Sequence, residues 1–107
     1  SSVRHNFKSV SVKKTSKICA LIKGDGKVYQ LRVKDRYNNY YSYIHTFCTS
    51  ENWQEIEIPL IEMYPSFRGK TLNKPNFNHD VIEEITFLIA NNKSEKFKLI
   101  IDKIYLK

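Results

Sequence analysis

The sequence has few cysteines and no long apolar run. Only Cys19 and Cys48 occur, and neither stands in a C-x-x-C spacing, so the sequence predicts free thiols rather than a disulfide framework or a metal site. No apolar stretch approaches the roughly 18 residues that cross a bilayer, and no signal-peptide pattern is present. We therefore expect a folded domain without a membrane span.

Signatures of catalysis are also missing. The three histidines are far apart in the sequence, and no serine or cysteine stands in a G-x-S-x-G context. The G-D-G at residues 24–26 lacks the remainder of a G-x-G-x-x-G loop. Glu83 and Glu84 are adjacent and point to opposite faces of a strand, which excludes a paired-carboxylate site there. We expect no catalytic residues, no metal and no other cofactor.

Basic residues are in excess, with 18 Lys and Arg against 11 Asp and Glu and a net charge of +7. Such a surface attracts RNA, anionic lipid head groups or acidic protein patches. Many of the lysines also fall where solvent-facing strand positions and turns are expected, and lysine there blunts the edges of sheets. The charge alone leaves both interpretations open.

Aromatic content and alternation favour strands. Seven Tyr and six Phe lean toward sheet, and extended segments separated by turns favour an antiparallel β-sandwich over βαβ units. Residues 81–85 would also fit the start of a helix. The expected strands are residues 2–7, 18–23, 27–34, 40–48, 53–58, 81–91 and 97–106, with 9–15 as a weak strand or an exposed link.

Two local features of these strands can be tested. Residues 18–23 and 27–34 are joined by Gly-Asp-Gly, which predicts a β-hairpin. In the last strand, Phe97 to Ile101 and Ile104 to Leu106 alternate with opposite parity, so a bulge near Asp102 would bury both sets.

The chain is organised around residues 53–69, W-Q-E-I-E-I-P-L-I-E-M-Y-P-S-F-R-G. Ile56 and Ile58 share one face while Glu55 and Glu57 point to solvent, and Pro59 ends the strand. A second proline and a glycine predict an ordered turn beyond it.

This stretch resembles the domain of the complex I intermediate-associated protein 30. Three further segments agree in order, S-V-R at 2–4, G-D-G-x-x-Y at 24–29 and F-x-L-x-I-D-x-I at 97–104. The resemblance implies a galactose-binding-like jelly-roll β-sandwich, similar to some carbohydrate-binding modules, whose mitochondrial members assist assembly of complex I. The residues of the central stretch that carry it are Trp53, Ile56, Ile58, Pro59, Leu60, Pro65, Phe67, Arg68 and Gly69.

In that family a further stretch precedes S-V-R. We therefore expect residues 1–107 to form a single but partial β-sandwich domain, with an open sheet edge that allows self-association. The resemblance implies a cytoplasmic location in a bacterium and a mitochondrial one in a eukaryote.

Two groups of residues are candidates for binding. Tyr41 and Tyr43 share one face of an aromatic strand, where exposed rings can stack on sugars or nucleobases, although strand tyrosines also fill cores. Tyr64, Phe67 and Arg68 combine aromatics with a planar cation for carboxylate or phosphate; alternatively, Arg68 caps loop carbonyls while the two rings pack under the sheet rim.

Three functions follow. The first, for which we include Trp53 among the binding residues, is a non-catalytic assembly module that contacts a protein partner. The second is a carbohydrate-binding module, and the third is an RNA-binding module.

Overall fold

The computed structural model describes residues 2–90 and 98–107, with side chains from residue 9 onward. A single 3-10 turn, Leu60–Glu62, accompanies nine strands in the described part. The strands in chain order are β1 (Ser2–Ser11), β2 (Lys17–Lys23), β3 (Val28–Lys34), β4 (Ser42–Cys48), β5 (Trp53–Pro59), β6 (Tyr64–Phe67), β7 (Lys70–Thr71), β8 (Val81–Ile89) and β9 (Ile100–Leu106).

These strands form two antiparallel sheets. The larger sheet has the spatial order β1-β8-β3-β4-β6-β7, and the smaller sheet has the order β5-β2-β9. The predicted all-β sandwich is therefore confirmed. Within residues 2–90 and 98–107, no helix is long and apolar enough to span a bilayer.

The core lies between the two sheets, where the apolar side chains of their strands pack together. In β3, Tyr29, Leu31 and Val33 are almost completely buried while the residues between them face outward. Full burial of one such side chain contributes about 1.5–3 kcal/mol. The buried core consists of Val12, Ile18, Ala20, Ile22, Leu31, Val33, Tyr43, Ile56, Ile58, Leu60, Met63, Phe77, Ile82, Ile85 and Phe87.

The central stretch adopts the predicted arrangement. Ile56 and Ile58 are buried on β5, and Glu55 and Glu57 are exposed. Pro59 ends the strand, and the 3-10 turn closes with a bond of 3.0 Å from the Met63 N–H to the Leu60 carbonyl. The chain then crosses to the larger sheet, so this stretch joins the two layers.

The predicted hairpin of residues 18–34 is wrong. Its two strands exist, but β2 pairs with β5 and β9 while β3 pairs with β4 and β8. Gly24 serves close packing instead of a hairpin turn, since a Cβ at this position would lie 2.3 Å from the Cβ of Thr49. The G-D-G segment is therefore a crossover between sheets.

Asp25 holds that crossover in place. Its carboxylate accepts hydrogen bonds from the backbone N–H of Lys27 at 3.2 Å and the hydroxyl of Tyr29 at 3.1 Å. Its other oxygen accepts one from the backbone N–H of Lys98 at 3.0 Å. Burial acts to raise the pKa of Asp25, but these bonds outweigh it and keep the pKa below the ordinary value.

The bulge predicted in the last strand is confirmed. Leu21 pairs with Lys103. Its neighbour Ile22 pairs with Ile101, which leaves Asp102 as the extra residue. The apolar residues on both sides of the bulge therefore face the core. Phe97 lies outside the described residues.

Strands β1 and β8 bear on two further predictions from the sequence. β1 is one continuous strand with an irregularity between Asn6 and Val10, where the sequence predicted a strand followed by a weak strand or link. The segment that could have started a helix is instead strand β8, Val81–Ile89. The strand interpretation of that segment is thus confirmed.

Candidate binding surfaces

Tyr41 and Tyr43 belong to an aromatic cluster at one end of the core. The two rings lie 5.5 Å apart, and Tyr43 also contacts Phe77 at 5.1 Å and His79 at 5.5 Å, all as ring centroid distances. Tyr43 faces inward beside its partner Val33 and is only 3% exposed. Core filling, the alternative that the sequence left open, therefore describes Tyr43, and Tyr41 is partly covered.

The polar atoms of this cluster are connected. A hydrogen bond of 2.8 Å joins the Tyr43 hydroxyl to Nε2 of His79, whose Nδ1 lies 3.6 Å from a carboxylate oxygen of Asp35. Asn39 donates to the other oxygen of Asp35 at 2.6 Å. Burial raises the pKa of Tyr43. The hydroxyl therefore stays protonated and acts as a structural hydrogen-bonding group.

Three side chains beside the cluster form a surface that we call the aromatic rim: Tyr40, Phe67 and Arg68. Tyr40 is 60% exposed and packs edge-on against Phe67 at 5.2 Å. The guanidinium carbon of Arg68 lies 5.1 Å from the centre of the Phe67 ring, a cation–π contact. Arg68 has a φ of 51°, so it adopts a left-handed conformation immediately before Gly69. The exposed cation is thus held against an aromatic surface.

A groove of about 220 Å³ lies on the outer face of the larger sheet, and we call it the sheet groove. It forms because the strand alternation that buries Leu31 sends Gln30 and Arg32 outward, next to β4 and β8, with β6 beyond β4. Tyr64 lines it, as the only predicted binding residue that does so. Its lining residues are Gln30, Arg32, Ile44, Tyr64, Ser66, Gly69, Thr71, Leu88, Ile89 and Ala90.

Arg32 is the chemically distinctive residue of the sheet groove. Its Nε donates a bond of 2.6 Å to Oε1 of Gln30, and the described residues give the guanidinium no other hydrogen bond and no carboxylate. Burial lowers the pKa of Arg32 below its ordinary value, but the guanidinium remains charged. Arg36, by contrast, pairs with Glu83 at 3.2 Å. Arg32 therefore presents a half-buried fork of donors that suits a carboxylate or a phosphate.

Trp53 lies apart from these residues. It is 50% exposed at the start of β5 and pairs with Lys23, on the smaller sheet. The structure thus brings Tyr41 and Tyr43 together and places Phe67 and Arg68 on the neighbouring rim. It places Tyr64 in the groove and Trp53 in the other layer.

The outer face of the smaller sheet carries a charged network. Lys107 Nζ lies 2.6 Å from Glu57, which lowers the pKa of that carboxyl, and the Tyr105 hydroxyl donates to Glu55. The bond to Glu55 raises the pKa of Tyr105 to about 12. Ligand atoms of Cys19 and the two glutamates lie within 4.8 Å of one another, a spacing that a metal ion can use. The ammonium of Lys107 offsets part of the negative charge of the two glutamates.

Gln30 and Arg32 were missed by the sequence analysis. The available signal was the alternation of β3, which sends every second side chain away from the core. Without the strand order, nothing indicated that a tyrosine more than 30 positions later would line the same groove.

The fold and these surfaces define an antiparallel β-sandwich with a polar groove on the outer face of its larger sheet. Residues 1–101 match the family model described as complex I intermediate-associated protein 30, and the chain belongs to this family. This confirms the family prediction and links the chain to proteins associated with intermediates of complex I. No curated protein matches the chain significantly.

Proposed function

We propose that this chain is a non-catalytic assembly module that binds a protein partner, and that the sheet groove receives an acidic side chain of that partner. The observation that carries the proposal is the half-buried guanidinium of Arg32, whose only hydrogen bond to the described residues goes to Gln30. Taking a cation partly out of water opposes folding unless an anion compensates for it. A carboxylate in the groove supplies that anion.

The surroundings of Arg32 support a protein ligand. Tyr64 and Leu88 offer aromatic and apolar contact surface, and Ser66 offers a hydroxyl beside them. Arg68 on the aromatic rim follows β6, which lines the groove, and adds an exposed cation to the half-buried one. A net charge of +7 steers an acidic partner toward the domain and raises the rate of association.

The arrangement around Tyr43 supports a non-catalytic role. Asp35, His79 and Tyr43 form a chain of polar groups of the kind that serves acid–base chemistry in enzymes. The terminal hydroxyl is buried, and its raised pKa opposes ionisation. A group with these properties stabilises the fold and does not meet a substrate.

The test is selection of short random peptides displayed on phage against the immobilised 107-residue chain. We expect enrichment of Asp and Glu in the selected peptides. Their affinity should fall by about tenfold or more for Arg32→Gln, the effect of losing one charge-assisted hydrogen-bonded pair. Arg36→Gln is the matched control, because it removes the same charge from an exposed position, and it should retain binding. Selected peptides that bind Arg32→Gln as well as the parent would refute the proposal.

A carbohydrate is the second candidate ligand. It is favoured by the combination of the Tyr64 ring, the Gln30 amide and the Ser66 hydroxyl in one groove on a sheet face. Calorimetry against neutral and uronic acid-containing oligosaccharides tests it. The absence of binding heat with both groups would eliminate this candidate.

A further inference from the structure

One edge of the smaller sheet carries backbone groups that no described strand pairs with. Lys17 and Lys107 exchange two hydrogen bonds of 3.0 Å between β2 and the end of β9. In an antiparallel pair, the positions between such bonded pairs turn their N–H and C=O groups away from the partner strand. Ile104 and Leu106, which lie opposite Ala20 and Ile18, occupy such positions. Their backbone groups therefore point toward the open edge.

The same two residues border an apolar cleft between the sheets. Their side chains face the core but are only partly buried. The cleft has a volume of about 220 Å³ and is lined by Val10, Ile82, Ile85, Ile104, Tyr105 and Leu106. Strands β1 and β8 form one wall and β9 forms the other. The open edge thus combines unpaired hydrogen-bonding groups with a cavity for alternate side chains.

We propose that this edge binds an extended segment of a partner protein as a fourth strand of the smaller sheet. Backbone bonds to Ile104 and Leu106 supply affinity, and apolar residues at every second position of the segment fill the cleft. This contact lies on a different surface from the sheet groove and goes beyond the function proposed above.

The exposed lysines near this edge favour a segment that carries acidic residues between its apolar ones. Lys103 is exposed on the outer face of β9, with its ammonium 5.7 Å from the centre of the Tyr105 ring. Lys13 and Lys14 are exposed in the connection from β1 to β2. A second copy of the chain carries a net charge of +7 and is disfavoured beside these lysines. Glutamate or aspartate at the outward positions of the added strand would pair with Lys103, which is exposed on β9 itself.

The probe is a synthetic peptide of about nine residues, with valine or isoleucine at every second position and glutamate between. The control peptide carries lysine in place of glutamate. Amide hydrogen exchange of the 107-residue chain, measured by NMR, gives a residue-specific readout. In the chain alone, the amides of Ile104 and Leu106 should exchange quickly, whereas those of Lys103 and Tyr105, which face β2, should be protected.

Adding the glutamate peptide should slow exchange at Ile104 and Leu106 by about tenfold or more, with little change at Lys103 and Tyr105. Lys103→Glu should weaken that peptide and strengthen the lysine peptide. Lys70→Glu, on the far edge of the larger sheet, is the matched control and should change neither. Unchanged exchange with the peptide would overturn the proposal, as would equal binding of both peptides. Protection that grows with protein concentration in the chain alone would assign the edge to a second copy instead.

Discussion

The hydroxyl of Tyr43 and Nε2 of His79 lie 2.8 Å apart, and this hydrogen bond ties the middle of the larger sheet to the loop that precedes β8. The same loop places Phe77 over the core, where its backbone N–H donates to the Met63 carbonyl at 2.9 Å. A buried hydroxyl that lacks a partner destabilises a protein. The bond to His79 satisfies the buried hydroxyl of Tyr43, so the aromatic cluster can contribute to the stability of the fold.

Tyr43→Phe is therefore expected to lower the free energy of unfolding by about 1–2 kcal/mol, because it leaves the ring nitrogen of His79 without its buried partner. Urea denaturation followed by fluorescence measures the change. Tyr41→Phe is the matched control, since Tyr41 is less buried and its contact with the Tyr43 hydroxyl is longer, at 3.4 Å. An equal loss of unfolding free energy in both variants would show that the bond to His79 contributes no more to stability than the contact of Tyr41.

Asp25→Asn is expected to destabilise the domain near pH 7 by about 1–2 kcal/mol, because an amide accepts the bonds of the crossover less strongly than a carboxylate. The pKa of Asp25 is lowered in the folded protein. Its contribution is therefore fully present above the unfolded-state value and is lost as the pH falls through the folded-state value.

The difference in unfolding free energy between the parent and Asp25→Asn should consequently shrink below about pH 4. Thermal denaturation across this range measures it. Glu57 and Glu83 also have lowered pKa values, but they titrate in both proteins. Their contributions to the pH dependence therefore cancel when the two proteins are compared. A difference that is independent of pH would contradict this account.

Arg32→Met is expected to leave the stability unchanged or to raise it by up to about 1 kcal/mol, while weakening peptide binding by about tenfold or more, as for Arg32→Gln. Burial disfavours the charged guanidinium, and no described carboxylate offsets that penalty. Arg36→Met should behave in the opposite way, losing the ion pair with Glu83 but keeping binding. A clear loss of stability in Arg32→Met would indicate that this arginine has a structural role.

The two cysteines should react at different rates. Cys48 is exposed, whereas Cys19 is fully buried beneath the charged network. The pKa of the Cys19 thiol is raised, mainly by burial and to a lesser extent by the negative charge of Glu57. A thiolate is the reactive species, so iodoacetamide should modify Cys48 well before Cys19. Mass spectrometry of the parent and of Cys48→Ser follows the two sites separately. Equal rates would mean that β2 is more accessible than the structure indicates.

The sequence predicts single strands well because one buried face leaves a local pattern. The alternation around Ile56 and the parity change at Asp102 are both of this kind, and both are found in the structure. Pairing depends on distant residues. The G-D-G segment looks the same whether its strands pair with each other or separate into two layers, and the two cases differ in which distant strands pair with β2 and β3.

The candidate site was less predictable for the same reason. Tyr64 could be singled out by its place in the central stretch, but its neighbours in the groove come from β3 and β8. Arg32 sits between two core residues, where a charged side chain ordinarily means a solvated face. Its partial burial depends on the neighbouring strands, which the local sequence does not specify.

The strand order also has a consequence for biogenesis. Among the described strands, only β3 with β4 and β6 with β7 are neighbours that follow one another in the chain, whereas β1 pairs with β8 and β2 lies between β5 and β9. During translation, the apolar strand near residue 20 emerges long before its neighbour beyond residue 100 exists, and such non-local closure is slow. Strand β2 can pair with β5 first, but one of its two edges stays open during synthesis until β9 has been made.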